Sequence, residues 1–430
     1  FPSPWENLVA GWCVDHFVRY ASAPKADIAA RFEAWSESAD KATKDLVGRF
    51  LQELDGEYRR LAKSVNAEYL VDLAGDLFNR TRLERTLDKA KADLAAGDVR
   101  KAQARLLKQT PVEVGAGSVI DVLQSDALVS QTFTAKQAPL FTYPDAAGMF
   151  FNQSLERDGF LAVMAPAKSG KTFWLLDLAW VAMEQRRRVL FFQCGDLSAT
   201  QMTKRFLERA ARHPMQAESW PHVTRYPRKV SNHGDGGLEI EWKEKTFTAP
   251  LTEVAGREAF RLVQSEVLKS DESYLKMSVH ANSSLSTAGI RSIVQAYDAQ
   301  GWTPDLVVVD YADILANPPG YSESRDAVNH NWKDLRRLSQ EYHCLVVTGT
   351  QTNAASFDTE LLSRKHFSED RRKFDHVTGM FGLNVGKDDR RQQLTKVNWV
   401  IPPRERDWKD QVLYAVACLD YAMPCVRSTF

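Results

Sequence analysis

Two textures divide the chain. From Trp5 to about Leu107 apolar residues recur every three or four positions with charges between them, as in "ADIAARFEAWSE" and "DLVGRFLQELDGEYRRLAKSV". That is the period of amphipathic helices, and Gly97 and Pro111 break it. Residues 109–145 are small, polar and punctuated, and predict a linker with one short helix. From Gly159 short apolar runs alternate with helical stretches: "GFLAVMAP", "RVLFFQCGD", "YLKMSVHA", "DLVVVDYADIL", "CLVVTGTQ", "HVTGMFGLNVG", "LTKVNWVI" and "VLYAVACLD". Continuous apolar strands separated by helices predict an α/β domain with a mostly parallel sheet, covered on both faces. The expected domains are a helical one at 1–108, a linker at 109–145 and an α/β domain at 146–430. An insertion at about 214–258 does not alternate, and its "GLEIEWKEKTFTAP" suggests a hairpin.

Composition narrows the function classes. The 430 residues hold 56 Lys+Arg against 56 Asp+Glu, so no global field marks a nucleic-acid binder and any basic patch must be local. Five scattered cysteines without a CxxC pair argue against a disulfide framework or a zinc cluster and fit a reducing, cytoplasmic setting. No apolar run approaches the roughly 20 residues of a membrane span, and no signal peptide is read.

The chemistry starts in "GFLAVMAPAKSGKTFWLLDLAWVAM". Ala165, Pro166, Ala167, Lys168, Ser169, Gly170, Lys171 and Thr172 form a phosphate-binding loop with Ala in place of the usual first Gly, between a strand and a helix. Backbone N–H groups and the helix dipole suit phosphates, Lys171 suits the β and γ oxygens, and the Thr172 hydroxyl suits Mg²⁺. The run "DLVVVDYADIL" ends in Asp310, the form of a Mg²⁺-binding acid. Asp313 on the same stretch reads as solvated or as a cap. "RVLFFQCGDLSATQMTKRF" ends its apolar run on Gly195 and Asp196, and Ser198 with Gln201 has the form of a capping box for the next helix. Asp196 is therefore not needed as a cap. Its strand is expected beside the phosphate-loop strand, since successive strands are usually neighbours.

With "APAKSGKT", "VLFFQCGDLS", "DLVVVDYADIL" and "CLVVTGTQTN" in this order, the chain resembles the DnaB-like hexameric replicative DNA helicases, especially their phage and mobile-element branches. The likeness covers most of the chain and is strongest over 159–385. It implies a RecA-like ATPase motor after an all-helical N-terminal domain. It also implies a ring, a homo-hexamer in that family, working on single-stranded DNA with ATP and Mg²⁺. A primase or a helicase loader is the implied further partner.

By position, the resemblance implies that Asp196 stands for the Glu that polarises the attacking water, its carboxylate about 1.5 Å further back for want of one methylene. It implies that Gln351 senses the γ-phosphate, and that Arg404 or Arg406 in "NWVIPPRERDW" acts on the neighbouring subunit's nucleotide. The basic residues Arg364, Lys365, Arg371, Arg372 and Lys373 of "SRKHFSEDRRK" fall in a loop facing the DNA channel, with His366 or Phe367 for base stacking. Read without the resemblance, each is equally a solvated surface charge. A second basic cluster, "RYPRK" at 225–229, reads better as a hairpin flank than as DNA surface. The competing function is an ATP-gated scaffold, loader or defence ATPase of RecA type with weak or DNA-independent hydrolysis.

Overall fold

The computed structural model describes residues 3–20, 27–61, 67–107, 138–195, 197–233, 237–318, 320–321, 324–353, 359–367, 371–403 and 411–430. The chain forms two compact units, Phe1–Ser130 and Gln131–Phe430.

The first unit is helical, with helices Pro4–Tyr20, Asp27–Ser36, Lys41–Leu61, Ala67–Ala95 and Val99–Leu107. Val9, Trp12 and Val47 form its small core, and Trp12 meets Trp35 edge-on at 5.5 Å. Gly97 makes the break expected of it: at φ 80° it lets the chain reverse between the last two helices. Asp93 then accepts from Arg105 at 2.7 Å across that turn.

The second unit is built on a nine-stranded sheet. Its strands are β1 (Phe160–Ala165), β2 (Val189–Gln193), β5 (Leu275–Val279), β6 (Leu306–Asp310), β7 (Leu345–Gln351), β8 (Gly379–Asn384), β9 (Leu394–Ile401), β10 (Val412–Cys418) and β11 (Met423–Thr429), while β3 (His222–Asn232) and β4 (Leu238–Phe247) form a separate hairpin. The spatial order is β11-β10-β9-β8-β1-β7-β6-β2-β5. The six strands from β8 to β5 run parallel, and β9, β10 and β11 extend the sheet in antiparallel fashion.

The continuous apolar runs are explained by burial on both faces. Leu161, Val163 and Ala165 of β1 point to one layer with Trp174, Leu175 and Leu178. Phe160, Ala162 and Met164 point to the other with Ile290, Trp332 and Leu335. Period-two side-chain alternation thus feeds two cores from one strand. The same split recurs in β2 and β6.

Three expectations need correction. The β2 strand is not beside the phosphate-loop strand: β1 lies between β7 and β8, and β2 between β5 and β6. The crossover places two strands between them. The hairpin is not contained within 237–250, because β4 pairs with β3, which carries "RYPRK". Pro227 argues against a strand there, but a register shift between Pro227 and Lys229 absorbs it. Finally, β11 is a strand although its "MPCVRST" lacks a continuous apolar run.

Candidate nucleotide-binding site

In register, Ala165 pairs with Gln351 and Gln193 pairs with Asp310. Four strand ends therefore open at one rim of the sheet, where open α/β sheets hold their ligands. The phosphate loop leaves β1 at that rim and turns into the helix Lys171–Glu184. Ala165 ends β1 in ordinary extended backbone, and the left-handed positions come later, at Lys168 (φ 59°) and Gly170 (φ 89°). Ala in the first loop position therefore needs no special freedom. No side chain caps the start of the helix, so its first-turn N–H groups stand ready for an anion.

The side chains converge on the same point. The Thr172 hydroxyl donates to Asp310 Oδ2 at 2.9 Å. Asp310 is buried at 2% exposure. Gln193, with its amide turned to satisfy both neighbours, donates to Asp310 Oδ2 at 3.1 Å and accepts from Leu197 N–H at 3.3 Å. A hydroxyl and a buried carboxylate side by side at the mouth of a phosphate loop are the hard oxygen donors that Mg²⁺ takes. Lys171 is folded back on its loop, with Nζ donating to Ala165 O (3.2 Å) and Pro166 O (3.1 Å). Gly349 of β7 leaves room for it: a Cβ there would lie 3.6 Å from Lys171 Cδ.

Gln351 ends β7 beside the loop and donates to the Tyr311 hydroxyl at 3.0 Å. Asp196 lies outside the described residues, but both of its flanks are placed. Ser198 and Gln201 make the expected capping box. Gly195 sits at φ 121°, and a Cβ on it would lie 2.6 Å from Asn282 Cα. Only glycine fits there, both by backbone angle and by space. Arg404 and Arg406 also lie outside the described residues.

The basic stretch divides. Arg364 and Lys365 are exposed on a short 3₁₀ turn, Arg364–His366. Arg371 begins a second 3₁₀ turn, Arg371–Asp375, and Arg372 pairs with Asp326 at 2.6 Å. Lys373 is not a DNA-facing residue. It is fully buried, donates to Asp313 Oδ1 at 2.7 Å, and lies 5.2 Å from the ring centres of both Trp332 and Phe367. Phe367 is buried too, packed on Phe374 at 4.6 Å, which removes it as a stacking platform. Asp313 is correspondingly neither solvated nor a cap: it also accepts from Trp332 Nε1 (3.0 Å) and Thr350 Oγ1 (2.8 Å). In β3, Arg225 pairs with Glu244 at 3.7 Å and Arg228 with Glu241 at 3.2 Å, so this cluster is largely balanced by β4.

Sequence reading missed several members of the site. Gln193 carried a signal, as the one polar side chain ending an apolar run. Arg205 carried none. Its guanidinium lies over the Phe173 ring at 4.2 Å, and its Nη1 is buried without a partner. Burial pulls its pKa below the ordinary guanidinium value, while the negative charge of Asp310 works the other way. Burial, reinforced by Asp310, pushes the Cys194 thiol up to about 12.

No family profile and no curated protein matches the chain. Solved structures do. The ATPase domain of one helicase, solved by itself, aligns with a TM-score of 0.51 at 13% identity, covering 72% of this chain and 98% of that one. A DnaB-like replicative helicase, described with its interactions with primase, aligns with a TM-score of 0.54 at 14% identity, covering 89% of this chain and 85% of that one. The fold is RecA-like. At this identity the likeness concerns the fold, and the site rests on its own geometry. Among the described residues, no helix is long and apolar enough to cross a membrane.

Proposed function

We propose that the protein is an ATP-dependent DNA helicase: a ring of six subunits that binds ATP between neighbours and translocates on single-stranded DNA during replication. The observation that carries this reading is the 2.9 Å contact of Thr172 with Asp310, at the mouth of a loop that also offers Lys171 and an uncapped helix start.

On this reading the loop's N–H groups hold the β-phosphate. Lys171 exchanges two neutral carbonyl partners for phosphate oxygens, and charge-assisted bonds are roughly twice as strong as neutral ones. Thr172 and Asp310 would hold Mg²⁺, which neutralises developing charge on the phosphates when bound. Asp196 takes a proton from the attacking water, and Gly195 sets where its carboxylate stands. Gln351 exchanges the Tyr311 hydroxyl for the γ-phosphate, and so tells a triphosphate from a diphosphate. Arg404 or Arg406 reaches the neighbour's nucleotide, where such a guanidinium is worth roughly 10³ or more in rate. Arg364, Lys365, Arg371 and Arg372 contact the strand's phosphates, and a primase or loader docks elsewhere on the ring.

The test is Lys171→Ala: it should abolish both ATP hydrolysis and strand separation. Undiminished turnover in that variant would refute the assignment.

A further inference from the structure

A cavity of about 450 Å³ adjoins the phosphate loop. One wall is the loop at 168–170 with Phe173; another is Arg390 and Gln393 between β8 and β9; Leu419 and Pro424, between β10 and β11, complete it. The cavity therefore begins where a triphosphate on the loop would end.

Gln393 is held in an unusual way. Its backbone lies in the left-handed region at φ 51°, which non-glycine residues seldom adopt. Its N–H donates to Arg390 O at 3.2 Å, and its carbonyl accepts from Ala417 N–H at 2.8 Å, so the backbone is clamped from both sides. Its side-chain Oε1 is nevertheless buried without a partner. A buried acceptor left without a donor is unfavourable, and native structures keep few of them. A ligand donor arriving in the cavity would satisfy it. Leu419, 49% exposed on the cavity wall, offers apolar surface to a flat ring.

We propose that this cavity is the nucleobase subsite and that Gln393 Oε1 accepts the exocyclic amine of adenine, so that the chain selects adenine over bases with a carbonyl at that position. The opposite amide orientation would present Nε2 and favour the carbonyl base, which makes the sign of the preference a test in itself. The subsite rests on the phosphate loop holding a nucleotide, and the experiment separates the two.

The full chain with Mg²⁺ is titrated with ribose-labelled fluorescent ATP, displaced by ATP, by ITP, or by inorganic tripolyphosphate. ITP carries a carbonyl where ATP carries the amine. ATP should displace the label at a concentration about tenfold lower than ITP, the discrimination typical of one buried hydrogen bond. Gln393→Glu keeps the acceptor and should keep the ATP-to-ITP ratio. Gln393→Met should bring that ratio to one, while tripolyphosphate competes equally with parent and Met variant, which shows that variant folded. Equal displacement by ATP and ITP in the parent, tighter ITP, or a ratio unchanged in Gln393→Met would each overturn the subsite. Failure of tripolyphosphate and both nucleotides alike would instead remove the phosphate-loop reading, and the subsite with it.

Discussion

Asp310 Oδ2 holds two donors, Thr172 and Gln193, in a nearly dry setting. Replacing the carboxylate by an amide keeps the shape but removes a charge suited to a divalent cation. Asp310→Asn should therefore lower kcat by about 10² or more while the fold persists, checked by steady-state ATPase assay beside circular dichroism. Gly195 makes a different demand. A methyl group there meets Asn282 backbone at 2.6 Å and strains a φ of 121°. Gly195→Ala should cost about 1–3 kcal/mol of stability and lower turnover by displacing Asp196. A melting temperature and rate equal to the parent's would contradict that view of the turn.

Among elements, the buried Asp313–Lys373 pair joins the ends of β6 and β7 to the turn at 371–375 and to the helix Ser324–Glu341. Removing one partner leaves a charge buried alone, so Lys373→Met should destabilise by about 3–5 kcal/mol. Lys373→Met with Asp313→Asn leaves no unpaired charge and should recover part of that loss, read from denaturant midpoints. A double variant no more stable than the single one would argue against the pair. This link was hidden in the sequence because its partners lie 60 positions apart, and a lysine within a basic run looks solvated. The strands β1, β2, β6, β7 and β8 were legible because burial on both faces demands unbroken apolar runs. The partner of β2 was not, because strand order is decided by crossovers rather than by local pattern. Lys171, Thr172 and Asp310 were legible because phosphate and metal chemistry fix residue types at fixed places. Gln393 was not, since its role depends on a backbone angle and on Ala417, which donates to it from another strand.

At the scale of the whole molecule, equal numbers of basic and acidic residues leave no general attraction to nucleic acid. Coupling to DNA must come from a local surface, and with Lys373 buried that surface narrows to Arg364, Lys365, Arg371 and Arg372. Arg364→Ala with Lys365→Ala, both exposed, should weaken single-strand binding and flatten its salt dependence, with basal ATPase unchanged. Affinity and salt slope equal to the parent's would place the DNA elsewhere. The central claim is a motor whose chemistry answers to DNA. Its most direct measurement is the ATPase rate of the full chain with and without single-stranded DNA, beside the particle mass with a non-hydrolysable ATP analogue. The account predicts DNA-stimulated turnover and a closed ring; turnover indifferent to DNA, with assembly driven by ATP alone, would contradict it and favour a nucleotide-gated scaffold.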